Sequence, residues 1–248
     1  MILVLRKKCL ASLAACCTLG ITFMSVLYEA QPVAVSSSVK APEQRTVYVI
    51  DAGHGGEDGG AVAADGTIES SINLDIAIRL NDLLQFCGQE CTMIRTEDRA
   101  LYSDGAVSLR EKKASDLKNR VQLVNQYPKA VLISIHQNYL ESNRTVHGAQ
   151  AFCNAAEQAD VLAKHVQSAL NQTINAEHPK ESKRISDSIY IMKNVTVPAV
   201  LIECGFLSNA EETQLLKQAA YQKKMAAVIT AGILQNESYS TAGGDPIL

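Results

Sequence analysis

The chain has 248 residues, a formal net charge of −3 and 47% apolar residues. This length accommodates one large domain or two small ones, and the apolar fraction is sufficient for a sizeable core. The near-neutral charge excludes the basic excess of a nucleic-acid-binding protein, and no acidic run indicates disorder. We therefore expect a globular protein with no nucleic-acid partner.

The first 30 residues differ in composition from the rest of the chain. Arg6, Lys7 and Lys8 precede an apolar stretch, and the next charged residue is Glu29. A basic flank before an apolar run is typical of an export signal, and about 20 apolar residues can span a bilayer if they are not cleaved. We predict that residues 1–30 are a signal or membrane anchor and that the remainder lies outside the cytoplasm.

Residues 31–45 contain two prolines and three consecutive serines, a composition typical of a linker. From residue 46 onward, β-branched runs alternate with segments of helical periodicity. This alternation predicts a single α/β domain over residues 46–236, with a mostly parallel, twisted sheet of about six strands and helices on both faces. Residues 237–248 are small and polar and are predicted to be a flexible tail.

The predicted strands are short apolar or β-branched runs. They cover residues 46–50, 91–96, 130–136, 148–153, 189–193 and 198–203. The predicted helices lie between and after them, at about residues 69–87, 108–126, 155–174, 210–218 and 220–235. Residues 97–107 and 176–187 are predicted to be polar loops.

Four cysteines lie outside the leader, at Cys87, Cys91, Cys153 and Cys204. They lack the CxxC spacing of a zinc knuckle. Free, buried thiols are favoured over a disulfide, because small thiols are common in protein cores.

Four residues lie where an α/β sheet usually carries its functional site. His54 follows the first strand in a glycine-rich loop, Asp-Ala-Gly-His-Gly-Gly, where glycines allow close approach to the backbone. Glu69 begins the next helix, and His136 and Glu203 each end an apolar strand. Zinc catalysis uses about three ligands of these types plus an open position for water, so His54, Glu69 and His136 form a candidate Zn²⁺ site, although such a set does not exclude other divalent ions.

Glu203 is a candidate general base. Partial desolvation at the end of a buried strand raises the pKa of a carboxylate toward the range that proton transfer requires. The alternative, from the strand alone, is a glutamate that merely points into solvent. The other histidines, His147, His165 and His178, lie in a loop, on a helix face and beside a proline, and we expect them to be ordinary.

Three motifs together resemble a known family. They are Asp-Ala-Gly-His-Gly-Gly with Glu69, Ser-Ile-His-Gln-Asn at residues 134–138, and Leu-Ile-Glu-Cys-Gly-Phe-Leu-Ser-Asn at residues 201–209. The motifs, in this order, resemble the zinc-dependent N-acetylmuramoyl-L-alanine amidases of type 3, over about residues 46–236. The chain departs from the usual family residues at Ala52, Gln137 and Cys204, none of which is a ligand position.

The resemblance implies a ligand set, a substrate and a mechanism. His54, Glu69 and His136 would hold Zn²⁺, which activates water and polarises the carbonyl of the amide between the muramic acid lactyl group and L-alanine. Glu203 would accept a proton from the water and return it to the departing alanine nitrogen. The implied partners are the glycan strands and stem peptides of peptidoglycan.

Within this family the chain looks most like the spore-cortex, germination-specific amidases. The short leader, the lack of wall-binding repeats and residues 188–196 carry this likeness. That branch removes stem peptides so that a separate deacetylase can complete a muramic δ-lactam. The likeness implies an enzyme on the cell wall or spore cortex side, attached to the membrane through residues 1–30 if the leader is not cleaved. The sequence leaves the need for an accessory protein open.

Other interpretations remain compatible with these residues. A zinc peptidase that cleaves a stem-peptide bond would show the same spacing, and a non-catalytic wall-binding module would keep the fold while losing a ligand or Glu203. Cys204 is an alternative nucleophile. Because neighbouring residues of a strand point to opposite faces, Cys204 should not share a site with Glu203.

Overall fold

The computed structural model of the chain describes residues 45–241, with side chains described up to residue 236. The predicted signal or anchor at residues 1–30 lies outside the described residues, as does the predicted linker apart from Arg45. Residues 242–248 of the predicted tail also lie outside them. Between residues 45 and 241, no helix is long and apolar enough to cross a membrane.

Six strands and six helices make up the described part of the chain. The strands are β1 (Val47–Ala52), β2 (Glu90–Met93), β3 (Ala130–Asn138), β4 (Gln150–Cys153), β5 (Lys183–Arg184) and β6 (Ala199–Phe206). The helices are α1 (Glu69–Phe86), α2 (Leu109–Asn125), α3 (Ala159–Thr173), α4 (Tyr190–Asn194), α5 (Ala210–Leu216) and α6 (Ala219–Thr241).

The strands form one sheet in the order β2-β1-β3-β6-β4-β5. Every neighbouring pair is parallel except β4 and β6, which are antiparallel. Parallel neighbours need crossover connections, and the helices between the strands supply them. The predicted α/β class and the mostly parallel sheet of six strands are therefore confirmed.

Both faces of the sheet are covered by helices. Ile135 and Ile202 point into the larger apolar core, which they share with α1, α3 and α6. Leu132 and Leu201 point to the opposite face, where they pack with α2 and α4. Burial on both faces explains why β3 and β6 are continuous apolar runs rather than alternating ones.

The prediction of a strand at residues 189–193 is wrong. Residues Tyr190–Asn194 form the short helix α4, whose adjacent side chains Ile191 and Met192 are both buried. Adjacent residues of a strand face opposite sides of the sheet, whereas a helical turn can direct both against one apolar surface. The sixth strand is instead β5, which lies in the polar segment predicted as a loop, residues 176–187, and pairs with β4.

The starts of two helices match the sequence signals for helix initiation, whereas the end of the last helix differs from the prediction. The first helix begins at Glu69, as expected. Ser108 begins α2 through a capping box with Glu111, in which each side chain accepts a hydrogen bond from the other residue's backbone. The last helix continues to Thr241, beyond its predicted end, so the segment predicted as a tail begins within α6. The flexibility of that tail stays a prediction.

The four cysteines of the described chain are free thiols. Cys153 and Cys204 are buried as expected, whereas Cys87 is exposed and Cys91 is half-buried. Cys87 differs because it lies just beyond the last turn of α1, where the chain turns through solvent toward β2.

Candidate active site and metal centre

The candidate site lies at the carboxyl ends of β1, β3 and β6, which are neighbours in the sheet. A cleft of about 380 Å³ opens there, with α2 on one side and α4 on the other. His54 follows β1, and His136 and Glu203 lie side by side on β3 and β6. Parallel strands present their carboxyl ends at one edge of a sheet, so the topology brings together residues that are far apart in sequence.

Two imidazoles and one carboxylate converge in this cleft. One ligand atom from each of His54, Glu69 and His136 lies within 4.8 Å of the other two. The Oε1 atom of Glu69 is 3.4 Å from Nε2 of His54 and 3.0 Å from Nδ1 of His136. The two imidazole rings meet edge to face, with their centroids 5.1 Å apart. The three predicted ligand residues are therefore direct neighbours.

Glu69 is buried, and backbone and side-chain donors hold its carboxylate. The amides of Ala61 and Gln137 donate to it at 2.8 and 3.1 Å, and Nδ2 of Asn73 donates at 3.2 Å. Burial raises the pKa of Glu69, but the hydrogen bonds and charges of the two histidines outweigh burial and hold the pKa well below its usual range. The carboxylate is thus ionised and oriented toward both imidazoles.

His54 lies between two carboxylates. Its Nδ1 atom is 2.9 Å from Oδ2 of Asp58, on the side of the ring opposite Glu69. Burial lowers the pKa of His54, but the hydrogen bonds with Asp58 and Glu69 prevail and raise the pKa to about 9. The site thus strongly favours a positive charge at this point. A divalent cation on Nε2 would supply that charge in place of the proton.

Two buried arginines hold the backbone of the loop that carries His54. Arg95 donates to the carbonyls of Ala52 and Gly53, at 2.8 and 3.0 Å. Arg120 donates to the carbonyl of His54 at 2.7 Å. Both guanidinium groups are almost completely shielded from solvent. They satisfy backbone carbonyl groups at and just beyond the end of β1, and they restrain the loop that follows this strand.

Two positions beside the candidate ligands have no room for a side chain and therefore require glycine. A Cβ atom at Gly53 would overlap the imidazole of His136. A Cβ atom at Gly60 would lie against both the Glu69 carboxylate and the His54 ring, and Gly60 has a φ of 72°. The glycine-rich loop therefore makes room for the metal-ligand candidates, as the sequence indicated.

Glu203 is the second carboxylate of the cleft, but its environment is unlike that of Glu69. Its Oε2 atom is buried and has no hydrogen-bond partner among the described residues. Burial raises the pKa of Glu203 to about 7; the charge of His136 opposes this shift, and that of Glu69 adds to it. A carboxyl group with this pKa can both accept and release a proton near neutral pH.

The donor set fits a zinc ion. Two imidazole nitrogens and one carboxylate oxygen are ligand types that zinc accepts, and three protein ligands leave one position open in a tetrahedral site. The Glu203 carboxyl group faces the same cleft without competing hydrogen bonds from described residues, so it is available to a water molecule or substrate. The His54, Glu69 and His136 side chains also suit other divalent ions of similar preference.

The fold and the cleft agree with the protein family that the sequence matches. The N-acetylmuramoyl-L-alanine amidase model of the Amidase_3 family matches residues 49–235. The chain belongs to this amidase family. Its members are named for cleaving N-acetylmuramoyl-L-alanine in peptidoglycan, and the chain is accordingly an amidase.

Two relatives illustrate the likeness. The germination-specific N-acetylmuramoyl-L-alanine amidase of Bacillus subtilis is 39% identical over 206 residues, which cover 83% of this chain and 84% of the relative. The solved structure of the CwlD amidase from Clostridioides difficile, in complex with the GerS lipoprotein, is 36% identical with a TM-score of 0.74. That match covers 77% of this chain and 98% of the solved one.

A second solved amidase, from Clostridium difficile 630, is 28% identical with a TM-score of 0.67, and the match covers 81% of this chain and 99% of that one. The amidase LytC of Bacillus subtilis is 29% identical, and the match covers 80% of this chain but 37% of LytC. The same catalytic domain thus occurs both nearly alone and within much longer proteins.

Several residues of the site were not predicted from the sequence. Asp58, Asn73, Arg95 and Arg120 contact the ligand candidates or the loop that carries one of them. Asp58 lies only four residues after His54 in the same glycine-rich loop, so its closeness in sequence is the one local signal. The two arginines have none, since a buried charge cannot be recognised without its partners.

The residues expected to be ordinary lie away from the cleft. His147 and His178 contact each other, with ring centroids 5.2 Å apart, and His165 on α3 lies beside Asn236. Cys204 points into the larger apolar core, on the face opposite to Glu203. Burial raises the pKa of its thiol, so Cys204 is unsuited to be a nucleophile.

Proposed function

We propose that the chain is a zinc-dependent amidase that cleaves the bond between the muramic acid lactyl group and L-alanine of peptidoglycan. The convergence of His54, Glu69 and His136 beside the unpartnered carboxyl group of Glu203 carries this proposal. These three residues would hold the ion, which when bound supplies a Lewis acid that polarises a carbonyl oxygen and acidifies water.

Glu203 moves the protons. Its carboxylate accepts a proton from the attacking water as the water oxygen bonds to the amide carbon. The carboxylic acid then donates that proton to the nitrogen of L-alanine as the carbon–nitrogen bond breaks. One residue serves both steps because they require opposite protonation states, and a pKa of about 7 leaves both accessible.

The substrate is positioned by the walls of the cleft. Lys113 and Leu117 of α2 line one wall, and Ile189 and Tyr190 line the other. Lys113 is paired with Asp58, so the surface that these walls offer to a glycan chain and its peptide is largely apolar. Leu201 of β6 adds buried apolar surface to the lining of the cleft.

The proposed biological setting is the spore cortex. The relative named as germination-specific aligns over most of its length, which supports a role in removing stem peptides before muramic δ-lactam formation. We place the enzyme outside the cytoplasm, exported or anchored in the membrane through residues 1–30. A solved relative is in complex with a lipoprotein, and we extend the proposal to an accessory protein partner for this chain.

Product analysis tests the proposal. The full chain is purified in detergent, stripped of metal and incubated with peptidoglycan, with and without added zinc. Zinc-dependent release of peptides that begin with free L-alanine, together with glycan that carries free muramyl lactate, is expected. Peptides released without their L-alanine would instead identify a stem-peptide peptidase, and equal activity without any metal would contradict the zinc site.

A further inference from the structure

Asp58 contacts the ring nitrogen of His54 that does not contact Glu69. Its Oδ2 atom is 2.9 Å from Nδ1 of His54, while Nε2 of the same ring faces Glu69. The Asp58 carboxylate also forms a half-exposed ion pair, in which Nζ of Lys113 lies 3.2 Å from Oδ2. A chain of polar contacts thus runs from α2 through Asp58 to His54.

This contact determines which ring nitrogen can bind a metal. An ionised carboxylate only accepts hydrogen bonds, so a neutral imidazole beside it carries its proton on Nδ1. The lone pair then lies on Nε2, the nitrogen that is 3.4 Å from Oε1 of Glu69. Carboxylates that accept from the far nitrogen of a ligating histidine are a general device for fixing both its tautomer and its orientation.

His54 needs such a device more than His136 does. His136 lies within β3, where its backbone is paired with β6 at Glu203. His54 lies on a loop and has a φ of 62°, an uncommon value for a residue other than glycine. A loop residue has no ladder to fix its side-chain direction, so the contact with Asp58 supplies the missing constraint.

We propose that Asp58 is a positioning residue that orients His54 for metal binding. The inference rests on the proposed zinc function. Without Asp58 the site should still form, but its affinity for zinc should be lower. The reason is that the His54 ring can then rotate and exchange tautomers. Outer-shell partners of this kind typically contribute about 10- to 100-fold in metal affinity.

The test measures zinc affinity on the full chain in detergent by competition with a chromophoric chelator. Asp58→Ala should raise the dissociation constant for zinc by about 10- to 100-fold. Asp58→Asn should recover part of the loss, because its amide oxygen can still accept from Nδ1. Cobalt substitution gives a second readout, since the visible absorption of bound cobalt reports ligand geometry and should change in Asp58→Ala.

Asp65→Ala is the matched control. Asp65 lies in the same loop region and pairs with Lys217, but it does not contact His54. Its variant should bind zinc like the wild type. Equal zinc affinity and equal cobalt spectra in Asp58→Ala and the wild type would overturn the inference. A wild type that binds no zinc would contradict the proposed function itself, and the two failures are thus distinguishable.

Should Asp58→Ala fail to fold, as judged by circular dichroism, Asp58→Asn decides the question. A folded Asp58→Asn variant that binds zinc as tightly as the wild type at every pH, with an unchanged cobalt spectrum, would overturn the role of the carboxylate. A weakened affinity between those of the wild type and a metal-ligand variant would support it.

Discussion

At the scale of single residues, two glutamates of one cleft differ in the charge state that their surroundings favour. Burial raises the pKa of Glu69, but the hydrogen bonds and charges of two imidazoles lower it further, whereas burial without hydrogen-bond partners among the described residues raises that of Glu203 to about 7. Environments that separate the pKa values of two carboxyl groups commonly divide their catalytic roles. Glu69 is suited to hold a cation, and Glu203 is suited to move protons.

The first prediction separates these roles. Glu203→Gln keeps the shape of the side chain but cannot accept a proton, so turnover should fall by roughly 10²- to 10⁴-fold while zinc stays bound. Glu69→Gln should lower zinc occupancy, because it weakens a ligand. Metal content and turnover are measured on both variants side by side. Loss of zinc from Glu203→Gln, with retention by Glu69→Gln, would mean that the two assignments are reversed.

The second prediction concerns the histidines. His54→Ala and His136→Ala should each lose zinc and activity together, since two remaining ligands bind zinc weakly. Metal analysis after gel filtration provides the measurement. His178→Ala is the control, because His178 is exposed and lies outside the cleft. Stoichiometric zinc in either ligand variant would show that the proposed ligand set is wrong.

The third prediction follows from the raised pKa of Glu203. In the metal-free protein, the folded state keeps its proton up to about pH 7, whereas the unfolded chain loses it near 4.5. Stability should therefore fall as the pH rises from 4.5 to 7, by at most about 3 kcal/mol from this group. Glu203→Gln should lack this part of the slope. Urea unfolding of both metal-free proteins at several pH values measures it, and parallel slopes would contradict the assignment.

At the scale of elements, α2 is attached to the site through buried charges as well as apolar packing. Arg120 of this helix lies 2.5 Å from Asp51 at the end of β1 and 2.7 Å from Asp116 one turn earlier. Ser134 of β3 donates to the other oxygen of Asp51 at 2.7 Å. This network of buried charges therefore connects α2, β1, β3 and the His54 loop, and Asp51, Asp116 and Arg120 are among the residues that line the cleft.

The fourth prediction tests this attachment. Arg120→Met has a similar volume but leaves two carboxylates without their partner, and breaking a buried ion pair typically costs about 3–5 kcal/mol. The free energy of unfolding should fall by about that amount, and zinc affinity should fall as well, because the carbonyl of His54 loses its donor. Arg110→Met, an exposed position on the same helix, is the control. A variant at Arg120 as stable as this control would show that the network contributes little.

At the scale of the whole molecule, the sheet, its two apolar cores and the cleft are all formed by the described residues. These features lie between Val47 and Thr241. Among the described residues, β2 and β5 form the two edges of the sheet, and each of the four strands between them pairs with a neighbour on both sides. The domain therefore has the core and the backbone pairing that independent folding requires.

The fifth prediction is that removal of residues 1–30 leaves a soluble, folded and active amidase. The removed segment contains the basic flank and the long apolar run, and the residues that line the cleft all come from the part of the chain after it. Gel filtration, circular dichroism and zinc-dependent turnover are compared with those of the full chain in detergent. If the truncated protein precipitates and the full chain in detergent does not, the leader is part of the core.

The class of fold and the four central candidates of the site could be predicted from the sequence. Apolar runs that alternate with helical periodicity specify buried strands and covering helices, and local glycine and strand-end signals identified His54, Glu69, His136 and Glu203 as candidates. These signals are local in the chain. Each depends on a few neighbouring residues, so it can be recognised without knowledge of the packing.

The remaining features depend on tertiary packing. Residues 189–193 begin with a short apolar run that suits a strand, but packing against α2 and β6 makes them a helical turn, because marginal local preferences yield to burial. The buried partners Arg95 and Arg120 likewise reach across the fold to carbonyls and carboxylates more than 40 residues away in sequence. Their stabilisation exists only when those distant groups meet in a site that excludes water.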